Sequence, residues 1–349
     1  MATTPSERMA PAPTTRQRRG CLFMVRRGLK WFVIVLTVLV LLGVAYQTIA
    51  TETDKRGYAP RGQFYTVNGH QMHIVCKGSG SPAVILQAGA TAESLWWLRI
   101  QDQLAQHTQV CAYDRPGLGW SEPVSGQRDA TTIASELHAL LDEAGVAAPY
   151  VMVGHSFGAV LTRIYAAQYP QDVSGIVLVD SQLIDEPYAS QSEFDQWKTA
   201  NDAIQVPLWV MIRTGLARVL FSGQFYSAGY PPEVAAELAA LQPRNQTFDT
   251  DYAERVAAMW PLTQVSAAAR DLGDLPLVVI WTPVPGGFQA SSVAQQAALS
   301  RRGEFDTFSS NSVTRIIDGA DHLSLLGNEQ HAQQVTDAVL DVIEATETG

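Results

Sequence analysis

A series of short, continuous apolar runs separated by helical patterns limits the possible folds of this chain more than any other feature. The runs predicted as buried strands are Ala83–Gln87, Gln109–Tyr113, Tyr150–Val153, Gly175–Asp180, Leu277–Trp281 and Val313–Ile317. Between them, Ala130–Ala144 repeats its apolar residues with helical spacing. Strands that are apolar on both faces are typical of a parallel sheet that helices cover on both sides. The sequence therefore predicts an α/β fold with a mostly parallel central sheet.

Two segments depart from this alternation. Near the start, Gln63–Val67 and Met72–Cys76 flank Asn68-Gly69, which predicts a β-hairpin. Residues 182–270 show helical patterns without a convincing strand, and they lie between two strands of the predicted sheet. We therefore expect a helical cap at about 182–270. Its apolar stretch Val206–Phe221 is too short and too interrupted by charge for a second membrane span, so we expect a cap helix there.

The N-terminal region has the pattern of a membrane anchor. Residues 1–30 hold seven Arg or Lys residues and one acidic residue, and the next twenty, Trp31–Ala50, carry no charge. As a helix this run is about 30 Å long, the thickness of a hydrocarbon core. The basic excess before it predicts a single-pass plasma-membrane protein with a cytoplasmic N-terminus and an extracytoplasmic body. A cleaved signal peptide is the alternative, although the basic and apolar regions both exceed the usual signal lengths.

These features divide the chain into four parts. We expect a basic cytoplasmic tail over 1–30, a transmembrane signal anchor over 31–50, a polar linker over 51–61 and one globular domain over 62–349. The net charge of the whole chain is −10, so the part after residue 30 carries −16. An acidic body of this kind is a poor partner for DNA or RNA. The expected macromolecular partner is therefore the lipid bilayer and not a nucleic acid.

The motif Gly154-His155-Ser156-Phe157-Gly158 carries the clearest chemical signal. Gly-x-Ser-x-Gly is weak evidence alone, but this one follows the apolar run Tyr150–Val153 and opens a helical pattern. A strand–turn–helix setting is what a nucleophile elbow requires, because the turn holds the serine in a strained conformation. The sequence therefore predicts that Ser156 is a nucleophile.

Several motifs together resemble the α/β-hydrolase fold family from about residue 62 to the C-terminus. They are GHSFG at 154–158, DRPGLGWS at 114–121, the strand Gly175–Asp180, and GADH at 319–322. The resemblance implies an α/β-hydrolase fold with the catalytic histidine after the last strand, which points to His322 as the general base. The Gly- and Pro-rich segment 114–121 is expected to be a structural turn near the site.

The acid that orients the histidine can be sought among the carboxylates near the ends of the predicted strands. The commoner family position, directly after Leu277–Trp281, holds no carboxylate in this sequence. Some families of the fold instead take the acid from the end of the strand after the nucleophile helix, where Asp180 stands. We therefore predict the triad Ser156, His322 and Asp180. The alternatives left open are Glu304, Asp306 and Asp321.

The resemblance also implies further site features. Oxyanion stabilisation would come from the backbone N–H groups of Phe157, after the nucleophile, and Ala90, in the loop after Ala83–Gln87. The strand order of the fold would make the strands of Cys76 and Cys111 neighbours, so we predict a disulfide between them. No Cys/His cluster has metal-ligand spacing, and we expect neither a metal nor a cofactor.

The expected activity is hydrolysis of a carboxylic ester, less readily an amide, through an acyl-enzyme. The apolar cap, Trp96-Trp97 and the tether suggest a small hydrophobic ester or acyl substrate. An aspartate nucleophile would have indicated a dehalogenase or epoxide hydrolase, and Ser156 disfavours both. Acyl transfer and peptidase chemistry use the same triad. A non-catalytic, membrane-tethered binding module on the same fold is the alternative from another class.

Overall fold

One eight-stranded sheet forms the centre of the molecule. The computed structural model describes residues 15–126, 128–181, 191–221, 229–258, 269–283 and 299–348. The strands are β1 Gln63–Val67, β2 His70–Lys77, β3 Ala83–Gln87, β4 Val110–Tyr113, β5 Tyr150–His155, β6 Val173–Val179, β7 Leu277–Trp281 and β8 Ser312–Ile316. They lie in the order β1-β2-β4-β3-β5-β6-β7-β8. Among the strands that the structure describes, only the β1–β2 and β2–β4 pairs are antiparallel, so the predicted α/β fold with a mostly parallel sheet is confirmed.

Helices cover both faces of this sheet. Their bounds are α1 Thr15–Gly57, α2 Leu98–Leu104, α3 Ala130–Glu143, α4 Phe157–Gln168, α5 Gln191–Arg213, α6 Leu216–Phe221, α7 Pro232–Leu241, α8 Asn245–Ala258, α9 Ser324–Gly327 and α10 Glu329–Thr348. On one face α3 and α4 pack through residues such as Leu137 and Ile164. On the other, α2 and α10 pack through residues such as Ile100 and Val339. Both faces of the central strands are therefore buried, which explains their continuous apolar sequence.

The direction of the parallel strands determines where chemistry can occur. Ser156 follows β5, Asp180 follows β6, and His322 comes shortly after β8. These three strands are parallel, so their carboxyl ends meet at one edge of the sheet. Ligands of open α/β sheets bind at this edge. The fold therefore brings together three side chains that are up to 166 positions apart in the sequence.

The N-terminal helix α1 is a single helix of 43 residues, about 65 Å long at the usual rise per residue. It is long and apolar enough to cross a membrane over Phe23–Gly57, a test that a signal sequence near the N-terminus also passes. The structure differs from the linker expected over 51–61, because residues 51–57 continue the helix. An ion pair between Asp54 and Arg218 holds this extra length against the body. Residues 1–14 of the expected cytoplasmic tail lie outside the described residues.

The segment between β6 and β7 forms α5 to α8, and its described residues contain no strand. This agrees with the helical insertion expected at about 182–270, of which residues 182–190, 222–228 and 259–268 lie outside the described parts. The expected cap helix over Val206–Phe221 is divided into the end of α5 and α6. Gly215, with a φ of +69°, breaks it in a conformation that favours glycine.

Candidate active site

The turn between β5 and α4 places Ser156 in a strained backbone conformation. Its φ of 55° and ψ of −118° lie outside the regions that residues other than glycine normally adopt. The flanking glycines make this turn possible. A Cβ on Gly154 would lie 2.4 Å from the carbonyl oxygen of Gly158, and one on Gly158 would lie 2.1 Å from that of Gln87. This is the geometry of a nucleophile elbow, in which strain persists at a site of function.

Two backbone segments meet at Ser156 and could bind an oxyanion. Phe157 begins α4, so its N–H has no acceptor within the helix and lies at the positive end of the helix dipole. The loop after β3 approaches from the other side, since a Cβ on Gly89 would lie 3.2 Å from the Cβ of Ser156. Ala90 follows Gly89 directly. The predicted donors Ala90 and Phe157 therefore belong to the two segments that border the serine.

The predicted base and acid are joined by a short hydrogen bond. His322 Nδ1 lies 2.6 Å from Asp180 Oδ2. The other carboxylate oxygen, Oδ1, accepts weaker hydrogen bonds from the backbone N–H of Thr282 at 3.3 Å and from its hydroxyl at 3.2 Å. Burial raises the pKa of Asp180, but the hydrogen bond and charge of His322, with smaller contributions from His155 and Thr282, bring the pKa below its ordinary value. An ionised Asp180 can therefore hold the Nδ1 proton of His322 and orient its ring.

The other candidate acids have different partners. Glu304 pairs with Arg301, and Asp306 accepts a hydrogen bond from Thr314. Asp321 accepts from the backbone N–H groups of residues 323 and 324, and so stabilises the turn after the last strand. Among the described residues, Asp180 is the carboxylate bonded to the His322 ring. A hydrogen bond between the Ser156 hydroxyl and His322 is absent from the same residues, and such bonds often tighten only when substrate is bound.

His155 has a place in the site that sequence reasoning missed. Its ring lies 4.4 Å from the His322 ring, centroid to centroid, and its Nε2 donates to the His322 carbonyl oxygen at 2.9 Å. Burial, followed by the charge of His322, lowers the pKa of His155 to about 3, so it is neutral at neutral pH. Trp97 packs edge-on against it at 6.5 Å. His155 therefore supports the loop of His322 as a neutral side chain and does not take up a proton itself at neutral pH.

Arg115, expected only to be part of a structural turn, binds the loop that precedes the predicted oxyanion donor Ala90. The buried guanidinium donates to the carbonyl oxygens of Ala88 at 2.6 Å and Gly89 at 2.8 Å. In a planar trans peptide the N–H points opposite to the C=O, so fixing the Gly89 carbonyl also fixes the Ala90 N–H. Arg115 is held in turn by Glu254 of α8, with its Nε 2.9 Å from Oε1 and its Nη2 3.0 Å from Oε2. The sequence has no signal for this partner, which lies 139 positions away.

Asp114 holds the turn that carries Arg115. It accepts hydrogen bonds from His73 Nδ1 at 2.8 Å, from the Ser94 N–H at 2.6 Å and from the Trp120 N–H at 2.9 Å. Burial raises the pKa of Asp114, but the hydrogen bond and charge of His73 contribute to a net pKa below its ordinary value. His73 is therefore engaged in a structural contact with Asp114.

A disulfide joins Cys76 and Cys111. The two residues lie opposite each other on the antiparallel strands β2 and β4, with their Cα atoms 4.1 Å apart. Within the ranges that the structure describes, no group of three or more His, Cys, Asp or Glu side chains is arranged to hold a metal ion.

Comparison with known proteins identifies the family. Residues 82–204 match the family described as alpha/beta hydrolase fold. A Klebsiella pneumoniae protein named putative carbamate hydrolase RutD is 33% identical over 204 residues, which cover 55% of this chain and 75% of that protein. A Gibberella zeae protein named AB hydrolase superfamily protein is 30% identical over 198 residues, covering 55% of this chain and 56% of that protein. The chain therefore belongs to the α/β-hydrolase fold family, as its motifs predicted.

The likeness extends to solved structures of low sequence identity. A thermophilic esterase from Thermogutta terrifontis has a TM-score of 0.57 at 17% identity, over 81% of this chain and 98% of that chain. At this identity the likeness shows the fold alone. The chain spans about half the length, or less, of several curated relatives that it matches, the Gibberella protein among them.

Proposed function

We propose that this protein is a membrane-anchored serine hydrolase that cleaves carboxylic esters through an acyl-enzyme. The observation that supports this most is the 2.6 Å hydrogen bond between His322 Nδ1 and Asp180 Oδ2, at the sheet edge where Ser156 occupies a strained elbow. A carboxylate, an imidazole and a hydroxyl at one edge are the parts needed to activate a serine. A substrate of this chemistry needs no cofactor.

In the proposed reaction each residue has one task. Ser156 Oγ attacks the ester carbonyl carbon while His322 Nε2 takes its proton, and the N–H groups of Ala90 and Phe157 bind the resulting oxyanion. The ester C–O bond then breaks, and His322 gives the proton to the departing alcohol. Water attacks the acyl-enzyme with His322 again as the base, which releases the carboxylic acid and the free serine. Asp180 stabilises the imidazolium in both halves.

The proposed location follows from α1. An uncleaved signal anchor within the apolar part of this helix, preceded by basic residues, would leave the N-terminus in the cytoplasm and the hydrolase domain outside the plasma membrane. Gln47 of α1 is buried and donates to the Pro243 carbonyl oxygen of the cap segment at 2.6 Å. A helix bonded to the body in this way supports a retained anchor over a cleaved signal peptide.

A fluorophosphonate probe tests the proposed nucleophile directly. The full-length protein should become labelled at Ser156, and Ser156→Ala should abolish both labelling and hydrolysis of a short aryl ester. Ser310→Ala, at an exposed serine, is the matched control and should retain both. Absence of labelling in folded wild-type protein would instead support a non-catalytic binding module on the same fold.

The relative named putative carbamate hydrolase suggests a comparison of leaving groups. Ester, amide and carbamate substrates that share the same acyl or aryl group should be compared by kcat/KM, and the ester should have the highest value. A higher kcat/KM for the amide or carbamate would contradict ester specificity while retaining the serine mechanism.

A further inference from the structure

The second half of α1 packs closely against the cap. A Cβ on Gly43 would lie 2.7 Å from the carbonyl oxygen of Thr214, and one on Gly215 would lie 2.5 Å from Cδ1 of Tyr46. Two glycines, one on each side, therefore permit a near approach that a larger residue would prevent. The contact lies at the break between α5 and α6, so the cap is joined to the helix that we propose as the membrane anchor.

Polar bonds give this contact a defined geometry. Arg218 of α6 donates from Nε to Gln47 Oε1 at 2.9 Å, and its Nη1 lies 2.5 Å from Asp54 Oδ2. Gln47 also donates to the Pro243 carbonyl oxygen. These hydrogen bonds and the ion pair hold α1 and the cap in one relative position. They hold the cap beside the apolar part of α1.

The cap presents an apolar surface next to this contact. Exposed apolar side chains of α5 and α6 include Ile204, Val206, Trp209, Leu216, Val219 and Leu220. Exposed apolar patches of this kind mark interaction surfaces, and tryptophan prefers the membrane interface. Because Tyr46 and Ile49 of α1 are exposed at the same level, this surface continues the apolar surface of the anchor. The bilayer is the partner whose chemistry fits both.

A cavity of about 590 Å³ lies between α1 and the cap. Its lining includes Tyr46 of α1, Met211 of α5, Val219 of α6 and Phe248 of α8, and it is mainly apolar. The volume is within the roughly 300–1,000 Å³ typical of sites for small molecules. One of its walls is thus the anchor helix, and another belongs to the cap surface described above.

The same cavity reaches the loop that borders the nucleophile. Thr91, which follows the predicted oxyanion donor Ala90, lines it. Gln242, another lining residue, donates to the Thr91 carbonyl oxygen at 2.9 Å and holds this part of the loop. A Cβ on Gly89 would lie 3.2 Å from the Cβ of Ser156, so the loop that borders the serine also supplies Thr91, two residues further on, to the cavity wall.

We propose that this cavity receives the acyl chain of a membrane ester lipid directly from the bilayer and presents its carbonyl group to Ser156. This inference rests on the proposed ester hydrolysis and membrane anchoring, and it adds the substrate class and its route. The apolar lining suits an alkyl chain, and the wall formed by α1 places the cavity beside the lipid. Each methylene of a dissolved ester that enters such a cavity should raise kcat/KM about fourfold.

Two alanines on α7 provide a matched test. Ala239 lines the cavity and Ala236 is exposed on the same helix. The full-length protein is reconstituted in phosphatidylcholine vesicles and assayed with 4-methylumbelliferyl acetate in solution and 4-methylumbelliferyl hexadecanoate in the bilayer. Ala239→Trp should lower kcat/KM for the hexadecanoate about tenfold or more, because an indole there displaces several methylenes, with acetate hydrolysis within about twofold of wild type. Ala236→Trp should change neither by more than about twofold.

The outcomes separate this inference from the proposed function. If Ala239→Trp lowers kcat/KM equally for both esters, or for neither, the acyl-chain cavity is overturned. If this variant folds poorly, Met211→Trp repeats the test from α5. Equal hexadecanoate hydrolysis from detergent micelles and from vesicles would reject the bilayer as the source. Failure of the wild type to hydrolyse the acetate, together with no fluorophosphonate labelling, would reject the proposed hydrolase itself.

Discussion

Replacing Asp180 with asparagine should move the imidazole proton of His322 from one ring nitrogen to the other, while the side chain at position 180 keeps nearly the same shape. The carboxylate uses Oδ1 for the backbone N–H of Thr282 and Oδ2 for His322 Nδ1. In Asp180→Asn the amide oxygen would remain with the Thr282 N–H, because that donor needs an acceptor. The amide NH₂ would then face His322 Nδ1 and require a lone pair there. The imidazole proton would move to Nε2, which could no longer accept the proton of Ser156.

The size of the loss follows from this tautomer argument. The corresponding aspartate-to-asparagine change in a serine protease lowers kcat about 10⁴-fold. At 1.36 kcal/mol for each factor of ten, this equals about 5.4 kcal/mol of transition-state stabilisation. We therefore expect a loss of about 10³ to 10⁴ in kcat for a short ester, with a much smaller change in KM.

The assay is steady-state hydrolysis of 4-methylumbelliferyl acetate, with thermal unfolding of each variant measured in parallel. Glu304→Gln is the matched control, because Glu304 pairs with Arg301 and does not contact His322, and its kcat should stay within about twofold of wild type. A loss of less than tenfold for Asp180→Asn in folded protein would refute the assignment of Asp180 as the orienting acid. A comparable loss for Glu304→Gln would refute it too.

Three further predictions concern stability. Glu254→Gln leaves the buried guanidinium of Arg115 without its anion, so urea unfolding should show a loss of about 3–5 kcal/mol, and a loss below about 1 kcal/mol would contradict this role. Burial is the main cause that raises the pKa of Glu93 from 4.5 to about 8. The contribution of the protonated Glu93 carboxyl group to the free energy of unfolding is therefore complete below about pH 4.5 and is lost as the pH rises through about 8. Unfolding free energies measured across that range should fall with pH in the wild type and fall less in Glu93→Gln; equal slopes would refute the argument. The Cys76–Cys111 disulfide closes a sequence separation of 35, so the double alanine variant should lose about 3–4 kcal/mol in the same assay, whereas unchanged stability would contradict this.

Local features of the sequence were enough to predict most of the elements. Five of the six apolar runs became buried strands within one or two residues of their predicted bounds, because a strand that is buried on both faces has consecutive apolar residues. The sixth, Val313–Ile317, was predicted wrongly as a buried strand. It forms β8 at the end of the sheet, where a second neighbouring strand is missing from the described residues and Val313 and Ile316 are exposed. The elbow at Ser156 was also local, since it depends on two glycines that flank one serine. The continuation of α1 from residue 51 to residue 57 was not predicted, because polar residues alone do not distinguish a solvated helix from a linker.

The carboxylate that orients His322 could not be decided from the sequence alone. Asp180, Glu304, Asp306 and Asp321 were all possible from chain order. Only the folded sheet, which brings the ends of β6 and β8 together, joins one of them to His322. The order of residues along the chain favoured Asp180 over the other carboxylates, but it gives no distance from any of them to His322.

The sequence by itself determined the fold class and the position of the elbow. These follow from periodicity, turn chemistry and steric limits that act over a few residues. The tertiary structure alone decided the contacts of His155 with His322, of Arg115 with Glu254, and of α1 with the cap. Each joins residues more than a hundred positions apart, and such pairs meet only when burial of the whole core determines how the elements pack.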